Sequence, residues 1–381
     1  MPHPLPPPEP AYLYTESYLD FDYGPSHPLR IARLGLTHLL IELCGLAQTP
    51  FTVTPATLDQ LAHFHDRRYL DTLQKVSLNP DLPALGSYGL GPGDNPVFKG
   101  VFEWSALLTG ASLQAVDLVA QAGHTVAFSM AGGMHHAMAG RASGFCYVND
   151  PVLAILKLTD LGHRVAYVDL DAHHGDGVQW AFYRSNQVLT ISLHQHPATL
   201  FPGTGYIEEM GHGEARGYSV NVPLWPDTDD EIYTQCFEEL VPPLLEAFAP
   251  DYVVTQLGVD TLLEDPLANL NLTTTGFGHC VRSLKKIAAD RWIALGGGGY
   301  DLANVARCWT LAWAIMQGRE DQLPRELPPE FCAKANLSPD KKRLLDPQEK
   351  LRGRGWPRAQ EDAKDVIAYI KREIFPILEA G

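Results

Sequence analysis

Five short, almost wholly apolar segments, each running directly into a polar or glycine-rich cluster, constrain this chain more than any other feature. They are Thr125–Phe128 before AGGMHH, Val165–Asp169 before DAHHGDG, Leu189–Leu193 before HQHP, Tyr252–Leu257 before GVD, and Trp292–Leu295 before GGGGYD. A strand that is apolar on both of its faces is covered on both faces, and that is the signature of a parallel sheet rather than a half-solvated one. Helical patterns separate the segments at Pro151–Leu161, Gly177–Tyr183, Glu231–Phe248, Thr274–Ala289 and Leu302–Met316. The alternation predicts an α/β fold, a single domain with a central, mostly parallel sheet flanked by helices. In such sheets ligands bind outside the carboxyl ends of the strands, so the five clusters are expected to converge on one site.

Upstream, helical spacing recurs over Arg30–Leu43, Leu58–Phe64 and Val101–Ala122, the last stopping at Gly123. Residues 1–10 are proline-rich and expected to be extended or frayed. The segment 317–381 is rich in charge and proline, with one amphipathic helix near Asp362–Leu378. No repeat and no linker divides the chain, so residues 1–381 read as one domain with its core at about 20–316. A formal charge of −16 argues against nucleic acid, because phosphate contacts need clustered Lys and Arg. The six cysteines form no CxxC pair and read as reduced, mostly buried thiols. Neither a signal-peptide pattern nor an apolar run of about 20 residues is present, so the expected setting is cytoplasmic and the chain is not expected to meet a membrane.

The densest chemistry is Asp169-Leu-Asp171-Ala-His173-His174-Gly-Asp176. Along a strand, Asp169, Asp171 and His173 point to one face. Two carboxylates and an imidazole on a buried face are costly unless a cation compensates them, and Asp with His suits Zn²⁺ or a similar divalent ion. A solvated polar turn would also carry such residues, but not directly after AYVDL. A hydrolytic metal needs a third protein ligand, and Asp260, at the end of YVVTQLGVD, is the candidate. An isolated acid there is usually a helix cap, but its setting repeats that of Asp171. His135 and His136, after Gly132-Gly133, suit acid–base work because imidazole titrates near neutrality. Asp169 and Asp176 are spare acids able to fix their tautomers. Gly296–Gly299 match neither phosphate-loop pattern; the alternative is a flexible turn that brings Tyr300 to the pocket as an oxyanion donor.

Together the blocks GGMHHAMAGRASGFCYVND, VDLDAHHGDGVQWAFY, LHQHPATLFPGTG, GYSVNVPL, QLGVDTLLEDPLANLNLT and GGGGYDLANVARCWT resemble the zinc-dependent histone deacetylase family, from about residue 20 to 316. Within that family, the chain resembles the bacterial acetoin-utilisation type of deacetylase-like protein. The resemblance implies the arginase/deacetylase fold and a hydrolase acting on acetyl-lysine. It implies Zn²⁺, or alternatively Fe²⁺, on Asp171, His173 and Asp260. His135 and His136 become the paired histidines, backed by Asp169 and Asp176, with Tyr300 as transition-state donor. Phe145 and Phe201 become the aromatic walls of an acyl-lysine channel, with Gly144 as the small residue between Ser143 and Phe145, and Asp94 as a rim acid that holds the substrate backbone. Arg33 becomes a lining of an internal cavity. Structural K⁺ or Na⁺ is implied at an inner site of Asp169, Asp171, His173, Ser192 and Leu193. An outer site comprises Phe182, Ser185, Val188 and Tyr218.

Other readings compete. An arginase-like ureohydrolase needs a two-metal site with more carboxylates than the motifs provide. A silent acyl-lysine binding module would lack a ligand or the tyrosine, and neither is lacking. Acetylpolyamines or longer acyl-lysines are the alternative substrates, although no PxxCE-like insertion or acidic gatekeeper of the polyamine-deacetylase type is present. The oligomeric state is left open.

Overall fold

The five apolar segments do form strands, and two more join them. The computed structural model describes residues 9–82, 86–91, 93–338, 342–347 and 352–380, so residues 1–8 of the proline-rich opening lie outside it. The strands are β1 (Ala11–Leu13), β2 (Val126–Ser129), β3 (Val165–Asp169), β4 (Val188–Gln195), β5 (Ser219–Leu224), β6 (Tyr252–Gln256) and β7 (Trp292–Leu295). They lie in the order β1-β2-β7-β6-β3-β4-β5, and every pairing is parallel. Nearly every strand residue is buried, which is why the segments read as continuous apolar runs rather than alternating ones.

The two additional strands are the edges. β1 has three residues, too few to show a period. β5, SVNVPL, carries Pro223, which an edge strand accepts because no neighbour needs its missing N–H. Register places Asp169 of β3 opposite Ser192 of β4 and Gln256 of β6, so polar side chains meet at the carboxyl end of the sheet.

The helices are α1 (Ala32–Leu43), α2 (Leu58–Leu61), α3 (Arg67–Leu78), α4 (Val101–Ala120), α5 (Asp150–Thr159), α6 (Asp176–Phe182), α7 (Asp230–Phe248), α8 (Thr274–Ala288), α9 (Leu302–Gln317), α10 (Pro329–Lys334), α11 (Trp356–Glu373) and α12 (Phe375–Ala380). One layer runs α1-α9-α8-α7-α11 and the other α3-α4-α5-α6. The expected helix at Leu58–Phe64 shrinks to a single capped turn ending at Leu61. The C-terminal segment is no loose tail. α11 starts earlier than its amphipathic pattern suggested, packs on α7 and on the edge strand β5, and buries Val366, Ile367 and Ile370. Among the described residues, no helix is long and apolar enough to cross a membrane, and the six cysteines are unpaired.

Candidate active site

Four consecutive strands of the sheet, β2, β7, β6 and β3, send their carboxyl-end loops to one place. β3 leads into Asp171 and His173, β6 into Asp260, β2 into His135 and His136, and β7 into Tyr300. All of these side chains are buried except that of Tyr300, which is half-buried.

Asp171, His173 and Asp260 place one potential ligand atom each within 4.8 Å of the others. His173 Nδ1 lies 2.8 Å from Asp260 Oδ2 and 3.2 Å from Asp171 Oδ1. The remaining carboxylate oxygens are held by the backbone. Asp171 Oδ2 accepts from Gly298 N (2.6 Å) and Asp260 Oδ1 from Ala172 N (2.8 Å). Each acid is therefore oriented with one oxygen toward the imidazole. Burial and the neighbouring Asp171 charge push the Asp260 carboxyl up. Burial opposes a proton on His173, but its bonds to Asp171 and Asp260 outweigh that and carry it up to about 10. Two carboxylates crowded in an apolar site thus recruit positive charge. A divalent cation meets the same need, and one nitrogen with two carboxylate oxygens is a donor set zinc accepts, leaving a coordination position open. The residues fit the metal.

Beside the triad the two adjacent histidines turn toward each other. His135 Nδ1 donates to Asp169 Oδ2 (2.8 Å), His136 Nδ1 to Asp176 Oδ1 (2.7 Å), and the two Nε2 atoms are 3.0 Å apart. Burial lowers both pKa values, but the Asp169 and Asp171 charges reverse this at His135, which is carried up to about 9. At His136 burial and the His135 charge prevail over Asp176, and the ring falls to about 4. A proton is thereby favoured on His135 over His136.

The walls are aromatic. Tyr300 packs edge-on to Phe145 (5.8 Å) and to His173 (6.3 Å), and Phe201 edge-on to His136 (5.1 Å). Phe201 is 42% exposed and Phe145 half-buried, which places these rings between solvent and the acids. Gly144 has φ +50°, and a Cβ there would stand 2.5 Å from His136 and 2.8 Å from Phe201, so only glycine leaves this wall open. Asp94 is exposed, and its carbonyl accepts from His27, whose ring meets Phe145 edge-on at 4.5 Å.

The remaining expected residues lie farther out. Ser192 and Leu193 adjoin Asp169 across the β3–β4 ladder, and Ser192 Oγ bonds His194 Nδ1 (2.8 Å). Phe182, Ser185 and Val188 share the α6–β4 turn, and the Tyr218 carbonyl takes the Thr190 N–H beside it. Arg33 is buried, bonds the Gly299 carbonyl (3.0 Å) and lies over the Trp309 ring.

The model of the histone deacetylase domain matches residues 27–316. Histone deacetylase 8 of Xenopus tropicalis is 41% identical over 324 residues, covering 84% of this chain and 86% of its own. The crystal structure of a histone deacetylase homolog from Aquifex aeolicus superposes with a TM-score of 0.87 at 34% identity, covering 95% of this chain and 100% of its own. A structure of a histone deacetylase homolog complexed with SAHA gives the same figures. The chain belongs to the histone deacetylase family. The family's members are zinc-dependent deacetylases, and the chain is a hydrolase of that class.

Several residues that shape this deacetylase site escaped the sequence reading. Asn149 donates its amide to the His135 and Ala137 carbonyls (3.1 and 2.9 Å), fixing the histidine turn, while its carbonyl oxygen caps α5. Asp150 accepts from Gly133 N and Met134 N in the same turn. His65 accepts from Asn149 N at Nε2 (2.9 Å) and donates from Nδ1 to the Ala139 carbonyl (3.2 Å). Gln256 bridges the Gly133 carbonyl and Asp171 Oδ2. The only local signal was an Asn-Asp pair before an apolar helix, and it reads as an ordinary cap.

Proposed function

We propose that the protein removes acetyl groups from the side-chain amine of acetylated lysine in proteins or peptides. The observation that carries this is the pairing of His135 with Asp169 and of His136 with Asp176 beside the Asp171–His173–Asp260 triad. These three residues would hold Zn²⁺, with Fe²⁺ as the alternative. Such an ion supplies Lewis acidity at a carbonyl oxygen and lowers the pKa of water toward ~7.

The chain's own groups do the rest. Asp176 holds His136 through Nδ1, which leaves Nε2 as the basic atom, and its neutral ring takes the proton of the attacking water. His135, kept cationic by Asp169, favours the developing negative charge and protonates the leaving amine. Tyr300 donates its phenol to the carbonyl oxygen as that oxygen gains charge. Burial, with the charges of Asp260 and Asp171, keeps the phenol protonated far above neutral pH. Phe145 and Phe201 flank the lysine stem, Gly144 leaves room for it, and Asp94 receives the substrate backbone at the rim. K⁺ or Na⁺ at Asp169, Asp171, His173, Ser192 and Leu193, and at Phe182, Ser185, Val188 and Tyr218, would brace the strands beneath. The site has no second cluster of acids for a two-metal ureohydrolase among the described residues.

The test is a panel of acetyl-lysine peptides, longer acyl-lysine peptides and acetylpolyamines, assayed with and without chelator. Fastest turnover on acetyl-lysine, abolished by chelation, is expected. A marked preference for an acetylpolyamine would replace the substrate, and no turnover after metal reconstitution would remove the reading. Losing one oxyanion donor costs roughly 3–4 kcal/mol, so Tyr300→Phe should fold normally and lose about a hundred- to a thousandfold in kcat.

A further inference from the structure

Tyr300 stands at the end of four glycines, and Gly297 and Gly299 have φ values of +121° and +134°, in the region that favours glycine. A side chain carried on such a loop is only as well placed as the tethers of the loop. Gly298 N is tied to Asp171 and the Gly298 carbonyl to Val259 N (2.9 Å). The backbone of Tyr300 itself is held by Asp265, whose Oδ2 accepts from Tyr300 N at 2.8 Å. The other oxygen accepts from Leu267 N at 2.9 Å, and Asp265 N donates to the Leu262 carbonyl. Asp265 is 8% exposed. Its carboxylate joins the loop that follows Asp260 to the loop that carries Tyr300, with one backbone N–H from each.

We propose that Asp265 is the positioning residue of the Tyr300 phenol, an inference that rests on the role proposed for Tyr300 in amide hydrolysis. Asp265 touches no substrate. It fixes the backbone from which the phenol reaches the reacting carbonyl, and it couples that reach to the segment holding Asp260. A carboxylate suits the task because both of its oxygens accept. The amide of Asn offers one acceptor and turns an N–H₂ toward the second backbone N–H, so Asp265→Asn breaks one tether at almost constant volume.

The test is a double-mutant cycle of Asp265→Asn with Tyr300→Phe on an acetyl-lysine peptide, with zinc content measured in each protein. Misplacing a catalytic group by about 1 Å costs up to about a hundredfold. The expected result is a kcat lower by roughly ten- to a hundredfold in Asp265→Asn, with KM within about twofold and one zinc per chain retained. In the Tyr300→Phe background the same change should cost nothing further, because the phenol it positions is gone. Equal losses in both backgrounds, an unchanged kcat, or a loss that follows zinc depletion would overturn the proposal. Hydrogen exchange at the Tyr300 amide reads the tether independently of activity, and still decides if no substrate is turned over or the variant folds poorly. A protected amide in the wild-type protein is expected, with exchange at least about tenfold faster in Asp265→Asn; an amide unprotected in the wild type would refute the tether.

Discussion

At the floor of the pocket every carboxylate oxygen of Asp171 and Asp260 has a partner, and three of the donors are backbone amides of Ala172, His173 and Gly298. At the mouth, Phe201 is 42% exposed, and the exposed Asp94 is held through its carbonyl by His27. Four strand ends hold the floor, whereas loops outside the sheet hold the mouth. The difference separates what the site does from what it does it to. In the proposed reaction, the groups that would hold a cation and move a proton are fixed by the sheet, and the surfaces that would meet a substrate are left adjustable.

That contrast can be broken first at the floor. Asp260→Ala removes one of three ligand atoms and one of the two negative charges that would offset a divalent ion, so zinc content and turnover should both fall below detection. Full zinc content in that variant would remove Asp260 from the ligand set. Next comes His136→Ala, expected to lower kcat by about a hundred- to ten-thousandfold with zinc retained. His135→Ala should cost less, since water can partly replace it as the proton donor to the leaving amine. A reversed order would exchange the roles of the two rings.

The support beneath the floor predicts a stability effect. His65 is 2% exposed, and burial lowers its pKa to about 4 despite the Ala139 carbonyl. In the unfolded chain it titrates near 6.5, so between pH 6.5 and 4 the unfolded state binds the extra proton. Its contribution is full above pH 6.5 and is lost as pH falls through 4, a change of about 3 kcal/mol. Denaturant unfolding should show this loss, and His65→Gln, which can still accept and donate at the same two places, should flatten that part of the curve. An unaltered pH dependence in the variant would show that His65 does not carry it. The smallest effect belongs to the mouth. Phe201→Ala should leave thermal stability within about 0.5 kcal/mol and raise KM several-fold on acetyl-lysine peptides; a loss confined to kcat would place the ring nearer the chemistry.

The same division explains what could be read before the fold was known. Asp171 and His173 follow an apolar strand within four residues, and the Gly-Gly-x-His-His turn is as compact, so local pattern carried them. Five strands were legible for the same reason, since each is buried on both faces. β1 is too short to show a period and β5 has a proline, whereas α3 does place Tyr69, Leu70, Leu73 and Val76 at helical spacing within a largely polar RRYLDTLQKVSL. His65 and Asp265 were invisible for another reason. His65 acts on Asn149, 84 residues away, and Asp265 on Tyr300, 35 residues away, through backbone N–H groups that leave no trace in residue type.

The central claim is that Asp171, His173 and Asp260 hold one catalytic divalent ion. The direct measurement is zinc titration of chelator-stripped protein, following bound metal and acetyl-lysine hydrolysis together. One equivalent per chain should restore activity in proportion to occupancy. Full turnover by the stripped protein, or activity appearing only with a second bound equivalent, would contradict it.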